Sequence, residues 1–164
     1  MAIRNVLPFF YRYAEGCDYE FESMCRAAEN VYDLGEGYQD TRCDEANPDA
    51  SWVIRRYDKD YKGSQVTVLA APSSDPQHRR ANSADCFEFF FNRLDVPEGS
   101  RLLNATGSIY CAYQQVRALH YAINHGVIFD TVGYRTDKEP VNYLQEIKAT
   151  VDAMYDFVTE FAYD

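Results

Sequence analysis

The spacing of apolar residues changes four times along this chain, and that alternation restricts the fold more than any single motif does. Between residues 18 and 35, Phe21, Met24, Cys25, Ala28, Val31 and Tyr32 recur three or four apart, which predicts a helix capped by Asp18 and ended by Gly35. Residues 51–57 and 64–71 are β-rich runs separated by DKDYKG, the pattern of a hairpin with Val66 and Val68 on one face and Thr67 on the other. Helical spacing then returns. Phe87, Phe90, Phe91 and Leu94 follow a cap at Asn82 or Ser83, although CFEFFF also fits a strand. A longer helix is predicted from Asn104 or Thr106 to about Asn124, with Ile109, Tyr110, Tyr113, Val116, Leu119, His120 and Ile123 as its apolar stripe and Gly126 past its end. Residues 127–134 read as a strand. Pro140 then opens a terminal helix whose apolar face carries Leu144, Ile147, Val151, Met154, Tyr155, Val158 and Phe161. Residues 6–13, which include Pro8, fit a first helical turn or an edge strand equally.

This order predicts an α+β fold: a small, mainly antiparallel sheet, made of a hairpin at about 51–71 plus a strand at about 127–134, packed with four to five helices. A chain of 164 residues buries roughly 70% of its unfolded surface, so residues 1–164 are expected to form a single globular domain without covalent staples. Ten Phe, fourteen Tyr and Trp52 spread through every predicted element and oppose a disordered acidic tail. Residues 35–50 and 72–82, rich in Gly, Pro, Ser and acids, read as solvated loops.

Five cysteines, Cys17, Cys25, Cys43, Cys86 and Cys111, are odd in number and form no close pair, and the first ten residues lack the pattern of a signal peptide. A reducing, cytoplasmic location is expected. No run approaches the roughly 20 apolar residues of a membrane span, and acidic segments would be repelled by anionic headgroups.

The net charge of −10 is unevenly placed. Residues 15–49 hold eleven acids against Arg26 and Arg42, and residues 139–164 hold six against Lys148, whereas residues 50–138 have a small positive balance. Such a field favours basic partners and repels phosphate. On the terminal helix Asp152, Asp156, Glu160 and Asp164 stack four apart, a like-charge column near the negative end of the helix dipole. A solvated face is the ordinary explanation; a partner-binding face is the functional one. Imitation of duplex DNA would require more than this column, because one charge every ~6 Å is sparse beside one per ~1.7 Å of duplex axis.

Other chemistry is weakly signalled. Arg55, Arg56, Lys59 and Lys62, with His78, Arg79 and Arg80 later, form the basic clusters, which are expected to pair with the chain's own acids or those of a second copy. His120 and His125 diverge by about 140° on a helix and are not expected to share a metal. Cys111 lies about 13 Å from His120 along one helix axis, too far to form a thiol–imidazole pair. There is no GxGxxG, Walker-type loop, GxSxG or HExxH, so no catalytic residue, metal or cofactor is expected.

The leading expectation is therefore a non-enzymatic acidic binding protein that inhibits or sequesters a basic, nucleic-acid-handling partner such as a nuclease or DNA-binding complex. An anti-defence protein of a phage or mobile element, including an anti-CRISPR or DNA mimic, and a nuclease-immunity protein both fit this description. Its expected contacts are Asp152, Asp156, Glu160, Glu29, Asp33, Glu36, Asp40, Asp44 and Glu45, with no direct contact to nucleic acid or membrane. One alternative is a structural subunit of an oligomer or virion. Another is an enzyme whose pocket draws on His120, His125 or Asp130.

Overall fold

In the computed structural model, residues 17–135 and 140–161 are described, and they fall into two units that divide between Phe90 and Phe91. The first unit is built from α1 (Cys17–Tyr32), β1 (Tyr38–Cys43), β2 (Trp52–Tyr57), β3 (Thr67–Ala70) and most of α2 (Ser83–Arg93). The second contains β4 (Arg101–Gly107), α3 (Cys111–Asn124), β5 (Ile128–Tyr134) and α4 (Pro140–Phe161). The fold class is α+β, as expected. The expected element within residues 6–13 lies outside the described residues.

In the first unit β1, β2 and β3 form an antiparallel sheet in that order, with Tyr38 opposite Tyr57 and Val53 opposite Ala70. Alternation along β2 sends Val53, Arg55 and Tyr57 to the face covered by α1. There Phe21, Cys25, Ala28, Leu34, Val53, Tyr57, Val66 and Val68 make one buried cluster. On the opposite face Trp52 meets the ring of Phe89 from α2 at 5.4 Å. Cover on both faces explains why Val66, Thr67, Val68 and Leu69 are all buried, where the sequence had suggested alternation. Helix α1 ends when Asp33 takes a left-handed φ of 52° and the Leu34 amide donates back to the Glu29 carbonyl.

The start of α2 is a reciprocal cap. The Asn82 side chain accepts from the Asp85 amide, while Asp85 accepts from the Asn82 amide at 2.7 Å. Asp85 also accepts from the Ser74 amide and from the Arg79 guanidinium, so the residues before α2 are tied to its first turn.

Strand β1 corrects the reading of residues 35–50 as loop. YQDTRC has almost no apolar content, and five of its six residues are exposed, so no burial pattern advertises it. Its register comes from β2, including a long-range ion pair between Asp40 and Arg55.

In the second unit β4 and β5 are parallel, joined through α3, and form their own two-stranded sheet. The strand expected at 127–134 is thus present but pairs with β4 rather than with the hairpin. The helix expected to open at Asn104 or Thr106 begins later, at Cys111, after a strand and a short 3-10 turn. Its deeply buried residues are Ala118 and Ala122, on the stripe shared with Gln114 and Gln115. Gln114 Oε1 accepts from Asn104 Nδ2, and Gln115 Nε2 donates to the Phe129 backbone carbonyl. Ile123, expected in the core, is 50% exposed. At Gly133 a Cβ would come within 2.6 Å of Cys111 Sγ and 2.9 Å of Ser108 Cα, so the end of β5 touches the start of α3 closely enough to require glycine.

Candidate functional site

The acids singled out in the sequence divide into internally neutralised and outward groups. Arg55 accounts for the most deeply placed of them. Its Nε donates to Asp40 Oδ1 at 2.7 Å and Nη2 to Asp40 Oδ2 at 2.8 Å. Its Nη1 and Nη2 also donate to the two oxygens of Glu22, at 3.0 and 2.8 Å. The Tyr38 ring lies 3.7 Å from its guanidinium carbon and the Phe21 ring 5.3 Å. Hydrogen bonding to Asp40 raises the Arg55 pKa despite burial, so this cation is permanent. With its fork occupied by two carboxylates, Arg55 ties α1 to β1 and β2 and has no donor face for phosphate.

Glu29 accepts from the Tyr57 hydroxyl at 3.0 Å, and that hydroxyl also reaches the Cys25 carbonyl. Burial raises the Tyr57 pKa and pushes the Cys25 thiol up to about 11, so neither ionises near neutrality. Asp33 pairs with Lys59, whose ammonium holds the carboxyl below its usual range. Asp44 pairs with Arg42. The basic hairpin therefore neutralises acids of the same molecule through Arg55 and Lys59, as its sequence suggested. Arg79 pairs with Asp85, and His78 lies 2.8 Å from Asp75.

What stays outward in this unit follows β1. Asp40 lies on β1 with its carboxylate held by Arg55 and only 22% exposed, while Glu36, Asp44 and Glu45 lie beside the two ends of β1 and are exposed, Asp44 next to Arg42. Across residues 36–45 these four acids face only Arg42 within the segment. Among the described residues β1 is the end strand of its sheet. The structure thus places three of the nine expected contact residues outward at the two ends of one edge strand, while Glu29, Asp33 and Asp40 bond within the molecule.

Helix α4 holds the remaining three, and its orientation differs from expectation. Asp156 pairs with Arg117 of α3 at 2.8 Å, and Glu160 Oε2 lies 2.9 Å from His120 Nδ1. Ala153 is buried and Phe157 half-buried on the same side. Asp152 instead pairs along the helix with Lys148. The acidic column was expected to face solvent with the apolar stripe inward; here the column borders α3 and the stripe is exposed. The physical cause lies on α3, whose Arg117 and His120 meet carboxylates, and in the small side chains of α4 on that side.

The enzyme candidates have separate surroundings. His120 is bordered by Glu160, Tyr121 and Phe161; His125 packs at 5.2 Å from the Phe91 ring; exposed Asp130 accepts from the Thr131 amide. Among the described residues no group of three or more His, Cys, Asp or Glu side chains could hold a metal, and no helix is long and apolar enough to cross a membrane. Sequence reasoning missed the β1 edge, which carries no periodic signal. It also missed the outward direction of the α4 stripe, which periodicity defines without aiming.

No protein-family model matches the chain, and no solved structure matches it. The chain is similar to proteins of Mycobacterium tuberculosis and Mycobacterium bovis that are described as uncharacterized. Each is 31% identical over 155 residues, which cover 85% of this chain and 43% of the mycobacterial protein. The chain therefore spans less than half the length of the curated relatives it matches.

Proposed function

We propose that the chain is a non-enzymatic binding protein that engages a basic protein partner through the β1 edge, and that this engagement inhibits or sequesters a nucleic-acid-handling protein. The observation that carries the reading is the set of exposed acids Glu36, Asp44 and Glu45 beside β1, the end strand of its sheet among the described residues. An edge strand offers backbone groups to an extended segment, and flanking carboxylates select lysine and arginine side chains. Internal bonding of Glu29, Asp33, Asp40, Asp152, Asp156 and Glu160 removes them from the contact set, which becomes Glu36, Asp44 and Glu45, with Asp44 shared with the exposed Arg42. The overall charge of −10 adds long-range attraction to a basic partner and repulsion from nucleic acid. Blocking a nuclease or DNA-binding protein, as anti-defence and immunity proteins do, is the role most consistent with that pair of forces.

The test is fluorescence anisotropy with a labelled, extended Arg/Lys-rich peptide, followed by displacement of labelled duplex DNA from basic DNA-binding domains. Binding that weakens with salt, and that the triple variant Glu36→Lys/Asp44→Lys/Glu45→Lys reduces more than about tenfold, supports the reading. Equal binding by the folded triple variant would remove β1 from it. The structural-subunit reading draws on a different observation, the exposed apolar stripe of α4.

A further inference from the structure

Leu144, Ile147, Val151, Met154, Val158 and Phe161 recur along α4 at spacings of three, four, three, four and three. They are 69, 60, 59, 52, 59 and 38% exposed. A strict three-four alternation is the a/d seam of a coiled coil, whereas a helix lying on a globular core uses a broader stripe of period 3.6. The side of α4 turned to α3 is a different one, carrying Ala153, Asp156, Phe157 and Glu160. The seam is thus a second helix face, left over after α4 has packed.

We propose that this seam pairs with the α4 seam of a second copy of the chain, the two helices running antiparallel. Three properties argue for that occupant. The first is area. With Val141 and Tyr155 at its margin, 62 and 70% exposed, the face presents eight large apolar side chains. At about 100 Å² each they approach the ~800 Å² that one partner contributes to a standard interface, and they exceed the ~300–600 Å² of the largest patch on an ordinary monomer.

The second property is charge beside the seam. The flanking positions hold Tyr143, Lys148, Thr150, Tyr155 and Phe157, so a single charge borders the contact and no row of acids opposes its twin. The third is orientation. The acids Asp152, Asp156 and Glu160 all lie in the second half of α4, so a parallel pair would align them while an antiparallel pair sends them to opposite ends. Opposed helix dipoles favour the same arrangement. In that register Leu144 faces Phe161 of the second copy, Ile147 faces Val158, and Val151 faces Met154. Because α4 is already folded against α3, pairing does not repeat the cost of forming a helix.

Sedimentation velocity of the full chain, from about 1 to about 100 µM, tests this, since a self-association must depend on concentration. The expected result is passage from 18.9 kDa to twice that mass. The outward-facing double variant Val151→Asp/Met154→Asp should stay monomeric with unchanged far-UV circular dichroism, its dissociation constant raised at least about thirtyfold, or roughly 2 kcal/mol. Orientation is read from Leu144→Lys, expected to be monomeric, and Leu144→Lys/Phe161→Glu, expected to recover the dimer. The double change sets opposite charges across an antiparallel pair and like charges across a parallel one. A wild-type chain that stays monomeric at the highest concentration would overturn the proposal, whether or not some other helix binds the seam. So would a dimer that survives Val151→Asp/Met154→Asp, or failure of the double change to recover association lost in Leu144→Lys.

Discussion

At the scale of single residues, the chain spends its charges mostly on itself. Arg55 shows how: its side chain is 4% exposed, and its fork is filled by Asp40 and Glu22. Replacing it by Ala leaves two carboxylates facing each other, although both can rehydrate because Glu22 is 44% and Asp40 22% exposed. The expected loss is about 2–3 kcal/mol in urea unfolding, at the lower edge of what breaking a buried pair costs, and Arg55→Lys should recover only part of it. Asp85 gives a pH signature. Burial pushes its carboxyl up, but the Arg79 guanidinium, the Ser74 contacts and the Asn82 amide outweigh that and hold it below the usual carboxylate range. A folded-state value below the unfolded one means the stabilisation is complete above about pH 4 and disappears as pH falls through the folded value. Wild type should therefore lose stability below about pH 4 more steeply than Asp85→Asn, measured by urea unfolding at stepped pH. Cys25, fully buried with its pKa raised to about 11, should resist iodoacetamide at pH 8 until the chain unfolds, which peptide mapping would reveal.

At the scale of elements, legibility followed periodicity. The hairpin, the capped α2 and the start of α4 at Pro140 could all be read, because each joins a repeat to a turn or cap residue. Strand β1 could not, since YQDTRC offers little apolar content, with Tyr38 and Cys43 at its two ends, and depends on β2 for its register. Strand β4 was absorbed into a helix because LLNAT is compatible with either state and the helical repeat of residues 109–123 is strong. The α4 stripe was read correctly as a stripe and wrongly as buried: a hydrophobic repeat marks a face, while the direction of that face depends on Arg117 and His120 of α3, more than twenty residues away. The close contact of β5 with α3 gives a prediction at this scale. Gly133→Ala should cost about 1–3 kcal/mol, because the added Cβ meets the Ser108 backbone, and thermal unfolding would show it.

At the scale of the whole molecule, the acidity that dominates the sequence is only partly available to a partner. Of the nine acids expected to make contacts, Asp33, Asp40, Asp152, Asp156 and Glu160 bond to cations or histidine and Glu29 to the Tyr57 hydroxyl, while Glu36, Asp44 and Glu45 flank one exposed edge. Spacing along the chain could locate these acids, but only β-pairing could bring residues 36–45 into one line. The molecule thus offers two surfaces of different character: an acidic edge at β1 in the first unit and an apolar seam on α4 in the second.

Hydrogen–deuterium exchange with mass spectrometry, on the chain with and without the Arg/Lys-rich peptide, tests the proposed binding role most directly. The account predicts slowed exchange across residues 36–45, weakened by salt, with exchange in α4 unchanged. Protection confined to α4, or no protection anywhere at a peptide concentration that saturates anisotropy, would contradict it.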